Sequence, residues 1–498
     1  MSEAGKEPSL QRHLVRGSAW SIGLRWSARL LGLISTVILA RLLTPADYGI
    51  VAIAGLIVGS LEIFAQTGQY GAIVRHPNPT REHYDSVWTV SLLLGFGLGV
   101  MILAMTPLTT AYFHEPRAKL VVEILALRTM MSGLQNVGTM NFGRNLNFRR
   151  QFYFRVIPEL IAFVVTIGFA IALRNYWALV IGIISQSVAT IVLSYLMDPH
   201  RPRLCFTKIG EIWSFSIWTL FKNLGTYVNN QIDKLAVGGF AGAAAMGRYD
   251  VARDVATSPS QELINPVVAT LMPVMAKVQN DPEKRRELYL STLSWSALIC
   301  TSTGIGVALV AEDMADLVLG PKWHDVWPLM PWFALSWGVV GLTSGISSVL
   351  LALGHAYASA RLQWTRNVGF ALTIFPVAYV FRDLQVIVMT RFFVTLIVSP
   401  TMFYVLSRAL NVPMRDFAIA LWRPMAAGAV MAAAVLMLNA GLPFRGPPRL
   451  FLDIALGASS YAGALMLLWT LNGRPAGPES AAWELACARL APLRRRPA

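Results

Sequence analysis

SAWSIGLRWSARLLGLISTVILARLL, residues 18–43, is the stretch on which the reading of this chain turns. About 20 predominantly apolar residues suffice for a helix to cross a bilayer, and this stretch is long enough. Yet it carries Arg25 and Arg29 near its middle. A charged side chain at the bilayer centre costs about 2.5–3.5 kcal/mol on insertion scales, so two on one helix must face protein or water. Four residues apart, they share one helical face and stand about 6 Å apart along the axis. The stretch therefore reads as a membrane helix whose guanidinium-bearing face lines an internal cavity, and such a cavity attracts anions.

Apolar stretches of this kind recur along all 498 residues. The chain is 55% hydrophobic and only 14% charged, with a mean hydropathy of +0.52. Soluble domains are nearer a quarter charged. The composition specifies an all-α polytopic membrane protein. A β-barrel is excluded because the apolar runs are continuous rather than alternating. About fourteen spans are expected, at 18–43, 48–69, 86–108, 119–141, 153–173, 176–197, 213–240, 246–276, 291–311, 326–353, 359–380, 384–407, 418–439 and 450–472. Turn residues punctuate them, among them Thr44-Pro45-Ala46-Asp47, Asp281-Pro282 and Gly446-Pro447-Pro448.

The formal charge of +15 has two readings. One is binding to nucleic acid or anionic lipid; the other is the excess of Lys and Arg that cytoplasmic loops of membrane proteins carry. With the N-terminus placed in the cytoplasm, the cytoplasmic connections hold roughly 25 Lys and Arg against about 8 outside. The second reading is preferred and no nucleic-acid partner is expected. The expected location is the bacterial cytoplasmic (inner) membrane, with both termini cytoplasmic. Residues 1–13 are polar and lack the apolar core of a cleavable signal peptide. Cys205, Cys300 and Cys487 form no CxxC and no disulfide framework, and Cys300 reads as a packing residue.

The chain also resembles itself. Ser18-Ala19-Trp20 matches Ser216-Ile217-Trp218 at an offset of 198. The same offset places Gly49 on Gly247, Ala54 on Ala252 and Arg25 on Asn223, with Lys222 alongside. Two six-helix lobes related by a pseudo-twofold axis along the membrane normal are a known transporter plan. The expected organisation is a cytoplasmic tail (1–17), an N-lobe (18–197), an inter-lobe loop (198–212) and a C-lobe (213–407). An appended helix pair (408–472) and a basic cytoplasmic tail (473–498) follow.

The seventh span is the second polar anomaly. It reads Lys222-Asn223-Leu224-Gly225-Thr226-Tyr227-Val228-Asn229-Asn230-Gln231-Ile232-Asp233-Lys234. Lys222, Thr226, Asn229 and Asp233 share one face; Asn223, Tyr227, Asn230 and Lys234 share the next. Such a helix either lines a cavity or forms a hydrogen-bonded seam between helices. Because its counterpart carries Arg25 and Arg29, the cavity reading is preferred. The candidate substrate-binding set is Arg25, Arg29, Lys222, Asn223, Asn229, Asn230, Asp233 and Lys234.

Other ionisable residues in the spans are functional candidates by position. Glu62 and Glu262 are the candidate ion-coupling carboxylates, while Glu123 with Arg128, and Arg253 between Asp250 and Asp254, read equally well as internal pairs. There is no HExxH, Walker loop or GxSxG motif, and the seven histidines are scattered. No catalytic residue, metal or cofactor is expected.

Ile38-Leu39-Ala40-Arg41-Leu42-Leu43-Thr44-Pro45-Ala46-Asp47-Tyr48-Gly49-Ile50-Val51-Ala52 resembles the opening of bacterial polysaccharide exporters. These are the oligosaccharide flippases of the multidrug/oligosaccharidyl-lipid/polysaccharide (MOP) superfamily. Residues 229–238 resemble the family's seventh helix, and Met246-Gly247-Arg248-Tyr249-Asp250-Val251-Ala252 its glycine-tyrosine-alanine motif. The resemblance implies alternating-access translocation of a polyprenyl-diphosphate-linked oligosaccharide through a cationic cavity, for cell-surface polysaccharide synthesis. Arg25, Arg29 and Lys222 would then meet the diphosphate, guanidinium bidentately and ammonium as a point charge. The implied partners are the lipid-linked oligosaccharide, membrane lipids and the polysaccharide polymerase or export machinery. Two alternatives stay open: an ion-coupled drug antiporter of the same superfamily, and a membrane glycosyltransferase or polymerase.

Overall fold

A computed structural model describes residues 23, 26, 27, 29–65, 73, 79–145, 147–210, 216–278, 280–441, 446–475, 477–480 and 484, with only the backbone described at 65, 216–223 and 356. Among these residues every regular element is helical. The reason is the solvent. Hydrocarbon offers no partner to backbone N–H and C=O groups, so each span must satisfy its own.

The long helices follow the expected spans in order. They are α1 (29–42), α2 (Pro45–Glu62), α3 (Arg81–Phe113), α4 (Ala118–Ser132), α5 (Phe148–Leu173), α6 (Trp177–Met197) and α7 (Ser216–Ala241). Then come α8 (Ala243–Lys277), α9 (Pro282–Leu309), α10 (Met330–Ala352), α11 (Ala356–Phe381), α12 (Leu384–Leu410), α13 (Met414–Gly441) and α14 (Pro447–Leu471). Among the described residues, nine helical stretches are long and apolar enough to cross a membrane: α2, α3, α5, α6, α9, α12, α13, α14 and Pro321–Ala352, which contains α10. The exact count of fourteen expected spans is thus not confirmed among the described residues. α4 is short, with 15 residues, and α7 is too polar.

Local chemistry sets the boundaries. Thr44-Pro45-Ala46-Asp47 is a capping box: Thr44 Oγ1 accepts from Asp47 N–H, and Asp47 Oδ2 accepts from Thr44 N–H at 2.9 Å. Pro45 takes the first helical position, where its missing N–H costs nothing. Asp47 Oδ1 also accepts the Tyr176 N–H at 3.0 Å, tying the start of α2 to the start of α6. Asp281 and Asp383 are N-caps of α9 and α12, their side chains accepting from the Lys284 N–H and from the Gln385 and Val386 N–H groups.

The chain divides into two compact units, Met1–Gly247 and Arg248–Ala498. In the first, α3 pairs with α4, α5 with α6, and α4 also packs on α2 and α6; α7 lies against α2 and α3. In the second, α9 pairs with α10, α11 with α12, α10 packs on α12, and the α13–α14 hairpin packs on α9. Left-handed residues end helices in both units, among them His114 and Arg174 in the first and Arg382 and Asn411 in the second. Arg174 ends α5 and Arg382 ends α11, both in the left-handed region (φ 51° and 50°). Their N–H groups bond Ala170 O and Ala378 O at 3.1 and 3.2 Å.

Within the first unit, residues 198–208 are strapped across α3. Arg203 N–H donates to Asp85 Oδ1, Cys205 N–H to Thr89 Oγ1 and Lys208 N–H to Ser86 Oγ. Asn136 Nδ2 reaches the carbonyl oxygens of Ser194, Asp198 and His200. Cys300 is buried against Gly341 in the second unit, as a packing residue should be. Outward-facing Leu196, Leu372, Ile397 and Met437 are each more than 70% exposed, as expected where acyl chains supply the missing contact.

A close approach joins the first turns of α2 and α8, inside the first unit. A Cβ on Gly49 would stand 1.7 Å from Ala243 O, and one on Gly247 would stand 1.9 Å from Pro45 O. Pro45 with Ala243, and Gly49 with Gly247, are the pairs related by the offset of 198. Each glycine thus receives the carbonyl four positions back on the other helix, a self-complementary contact. Overpacking of this kind costs typically 1–3 kcal/mol. Gly49→Ala and Gly247→Ala are each expected to cost about 2 kcal/mol or more. Gly55→Ala, with open space around it, should unfold like the parent protein in a thermal melt of the purified chain in detergent.

Candidate functional site

Of the expected set, Arg29 falls on α1 and Asn229, Asn230, Asp233 and Lys234 on α7, both in the first unit. Arg29 is described, half-buried on α1. Arg25 lies outside the described residues, as do the side chains of Lys222 and Asn223, whose backbone is helical within α7.

On α7 the two polar faces have different fates. Asn229 is 7% exposed and Asp233 fully buried, one turn apart on the same face. Thr226 and Asn230 are exposed, and Lys234 is half-buried. Tyr227 packs over Gly59 and donates to Leu56 O at 2.8 Å, locking α7 onto α2. Tyr112 of α3 donates to Leu235 O at 3.2 Å and passes over Gly239. A polar helix is thus anchored by tyrosines on one side and leaves Thr226 and Asn230 open on the other. That arrangement serves both readings of α7: a seam at Asn229 and Asp233, and a polar surface at Thr226 and Asn230.

Glu62, at the end of α2, is engaged. Its Oε1 accepts from Thr129 Oγ1 at 2.8 Å and from Arg128 Nη1 at 3.2 Å. Arg128 Nε in turn donates to Ser187 Oγ of α6 at 3.1 Å. One carboxylate and one guanidinium therefore join α2, α4 and α6. The sequence offers Glu123 as the helix neighbour of Arg128, but the ion pair runs across helices to Glu62. Glu262 is half-buried on α8 and belongs to the second unit. Arg248, beside the glycine of the glycine-tyrosine-alanine motif, pairs with Asp325 at 3.3 Å.

The second unit holds charges that the sequence reading passed over. Arg391 of α12, 9% exposed, stacks its guanidinium 5.1 Å from the centroid of the Phe370 ring. One face of α11 carries Gln363, Arg366, Asn367 and Phe370, with Arg366 Nη2 donating to Gln363 Oε1 at 2.8 Å. Arg423 of α13 meets Glu479 at 2.9 Å, both under 10% exposed, which folds the segment after α14 back onto the hairpin. The signal available was charge within apolar spans at 359–380, 384–407 and 418–439.

A polysaccharide biosynthesis protein family matches residues 38–328, more than half of the chain. The chain belongs to that family. The three motif stretches at 38–52, 229–238 and 246–252 all lie inside the match. Among its relatives, the succinoglycan biosynthesis transport protein ExoT of Rhizobium meliloti (strain 1021) is 23% identical over 370 residues, 74% of this chain and 74% of ExoT. The lipopolysaccharide biosynthesis protein WzxC of Escherichia coli (strain K12) is 22% identical over 431 residues, 84% of this chain and 85% of WzxC. Among solved structures, the inward closed conformation of the lipid II flippase MurJ aligns with a TM-score of 0.73 at 13% identity, covering 91% of this chain and 99% of MurJ. This member of the polysaccharide biosynthesis family is therefore a multi-pass membrane protein with the MurJ fold. The family match includes Glu62, α7 and the Gly49–Gly247 crossing, but begins after Arg25 and Arg29 and ends before α13.

The Glu62–Arg128 pair is about a third exposed on each side. Surface pairs contribute about 0–1 kcal/mol, and breaking a fully buried pair costs about 3–5. A double-mutant cycle of Glu62→Gln and Arg128→Gln is expected to give a coupling of about 1–2 kcal/mol in unfolding of the purified protein. A coupling near zero would show that the pair does not hold the three helices.

Proposed function

We propose that this chain is a flippase that carries a polyprenyl-diphosphate-linked oligosaccharide from the cytoplasmic to the outer leaflet of the bacterial inner membrane, by alternating access, for cell-surface or exopolysaccharide synthesis. The observation that carries the reading is a guanidinium, Arg29, half-buried at the start of the apolar helix α1 in a member of a polysaccharide biosynthesis family. A diphosphate is the anionic part of such a lipid carrier, and arginine pairs with phosphate oxygens through two parallel hydrogen bonds. The names of ExoT, WzxC and MurJ support the same direction: a transport protein, a lipopolysaccharide biosynthesis protein and a lipid II flippase.

The parts take these roles. Arg25, Arg29 and Lys222 receive the diphosphate and Asn223, Asn230 and Lys234 offer hydrogen bonds to sugar hydroxyls, while Asn229 and Asp233, buried in the seam, hold α7 in place. The lipid tail stays among acyl chains, where its transfer to water would be costly. The chain transports without making or breaking a bond, and both termini face the cytoplasm. Glu62 enters as a structural partner of Arg128, which leaves Glu262 the better candidate for ion coupling. The polymerase or export machinery that consumes the flipped product supplies drive, and one elementary charge crossing 100 mV adds about 2.3 kcal/mol.

Hydrogen bonds to charged groups contribute about 1.5–3 kcal/mol, or roughly tenfold and more in binding per arginine. Arg25→Ala with Arg29→Ala should therefore reduce surface-polysaccharide export at least a hundredfold in cells that depend on this chain, at unchanged membrane levels of folded protein. Undiminished export by the double variant would remove the two arginines from the passage.

A further inference from the structure

One face of α6 in the first unit is the floor of an apolar groove. Trp177, Ile181, Ile184, Val188 and Val192 follow one another along it at helical spacing. Ile124 of α4 and Ile161 of α5 add to the lining. Ser185, its hydroxyl, donates to Gly182 O at 2.8 Å. The cavity measures about 520 Å³, within the range of small-ligand sites. Ile161, Val188 and Val192 are exposed along it. An opening so apolar is at home in hydrocarbon and costly in water. From Trp177 to Val192 the groove runs about 22 Å at 1.5 Å per residue. Half the hydrocarbon core is only about 15 Å thick. A single chain that fills the groove is therefore longer than the acyl chain of one leaflet.

The far end of the same face is cationic. Tyr195 lies seven residues after Val188 and donates to Leu134 O at 2.8 Å, just past α4. The Arg201 guanidinium stands 5.7 Å from the centroid of the Tyr195 ring. Its Nη1 donates to Asp198 O and His200 O at 3.0 and 3.1 Å, which fixes it there. Arg201 is exposed and, among the described residues, forms no ion pair. Arg81 Nη2 donates to Arg201 O at 3.3 Å. The exposed charges of 81–85 and 198–208 are Arg81, Arg201 and Arg203 against Glu82. Asp85 and Asp198 are buried, and each accepts an N–H from the strap, of Arg203 and of His200. The surface beyond the groove thus complements an anion.

We propose that the α6 groove and Arg201 form a docking site for the lipid end of the cargo, a polyprenyl diphosphate whose tail lies along α6 and whose diphosphate meets Arg201. The ligand follows from the flippase reading, and the site lies apart from the α1 and α7 residues assigned to the substrate. A long isoprenoid tail matches a groove that passes the midplane, and a diphosphate matches a guanidinium with N–H groups to spare. In the orientation proposed above, this end of α6 is the cytoplasmic one, where the cargo is taken up.

The test uses the full-length protein in phosphatidylcholine vesicles and a long-chain polyprenyl diphosphate with a diazirine midway along its tail. Photolysis followed by peptide mapping should place the label on 177–192, with Ile124 and Ile161 as the flanking positions. Excess unlabelled polyprenyl diphosphate should remove the label, and excess phosphatidylglycerol should not. Val188→Trp fills the groove and should cut labelling at least tenfold, while Leu372→Trp on α11 leaves it unchanged. Arg201→Gln should weaken half-maximal labelling about tenfold. Equal competition by phosphatidylglycerol would overturn the proposal in favour of an ordinary phospholipid site. A disulfide-linked dimer formed by Val188→Cys and not by the parent would give the groove to a second copy. Absence of the label from α6 would overturn the proposal outright. Transport of a labelled lipid-linked oligosaccharide in the same vesicles then separates the two claims: if it persists, only the docking site is wrong, and if it is absent too, the flippase reading falls with it.

Discussion

Hydrocarbon cannot hydrogen-bond, and that constraint shapes everything else in this chain. Backbone groups in the spans close on themselves as helices. Side-chain charges must then turn away from lipid, onto another helix, a ring or water. Each intramembrane charge described here obeys in its own way. Arg128 meets Glu62 across helices, Arg391 lies on the Phe370 ring, Arg423 meets Glu479, and Asp453 faces Arg449 one turn earlier. What distinguishes α1 and α7 is that they carry so much polarity on single helices. The tyrosine anchors at 112 and 227 hold α7 in place without covering Thr226 or Asn230.

The repeat gives the second organising fact. A fixed offset relates Gly49 to Gly247 in sequence, and in space these two glycines meet each other's helix at their first turns. Only residues without a Cβ permit that approach, so the symmetry of the sequence is also a steric requirement. Left-handed residues end helices in both units, Arg174 and Arg382 among them. A duplicated helical unit is also the plan of known transporters.

Much of this was legible from residues alone. Helix positions followed from apolar length, because a span that must satisfy its own backbone has one solution. Thr44-Pro45-Ala46-Asp47 announced a helix start through a capping box, whose partners lie three residues apart. Pairings between helices were not legible. Arg128 finds Glu62 rather than Glu123 because the choice depends on how α2 and α4 pack, which periodicity along one helix does not contain. The docking of 198–208 on Asp85, Ser86 and Thr89 escaped for the same reason, as did the return of Glu479 to Arg423. Arg366 and Arg391 were visible as charges in apolar stretches, but their ring and amide partners were not. Of the site itself, the sequence marked α7 as too polar for lipid. It did not distinguish the buried face of Asn229 and Asp233 from the open one of Thr226 and Asn230.

The decisive measurement is leaflet exposure of a labelled polyprenyl-diphosphate oligosaccharide in vesicles holding only this purified protein, with and without an ion gradient. The account predicts that the label becomes accessible on the opposite leaflet in protein-containing vesicles, far faster than in empty ones, and that its sugar chain is unchanged in length. Exposure at the rate of empty vesicles would contradict transport by this chain, and a lengthened sugar chain would make it a polymerase.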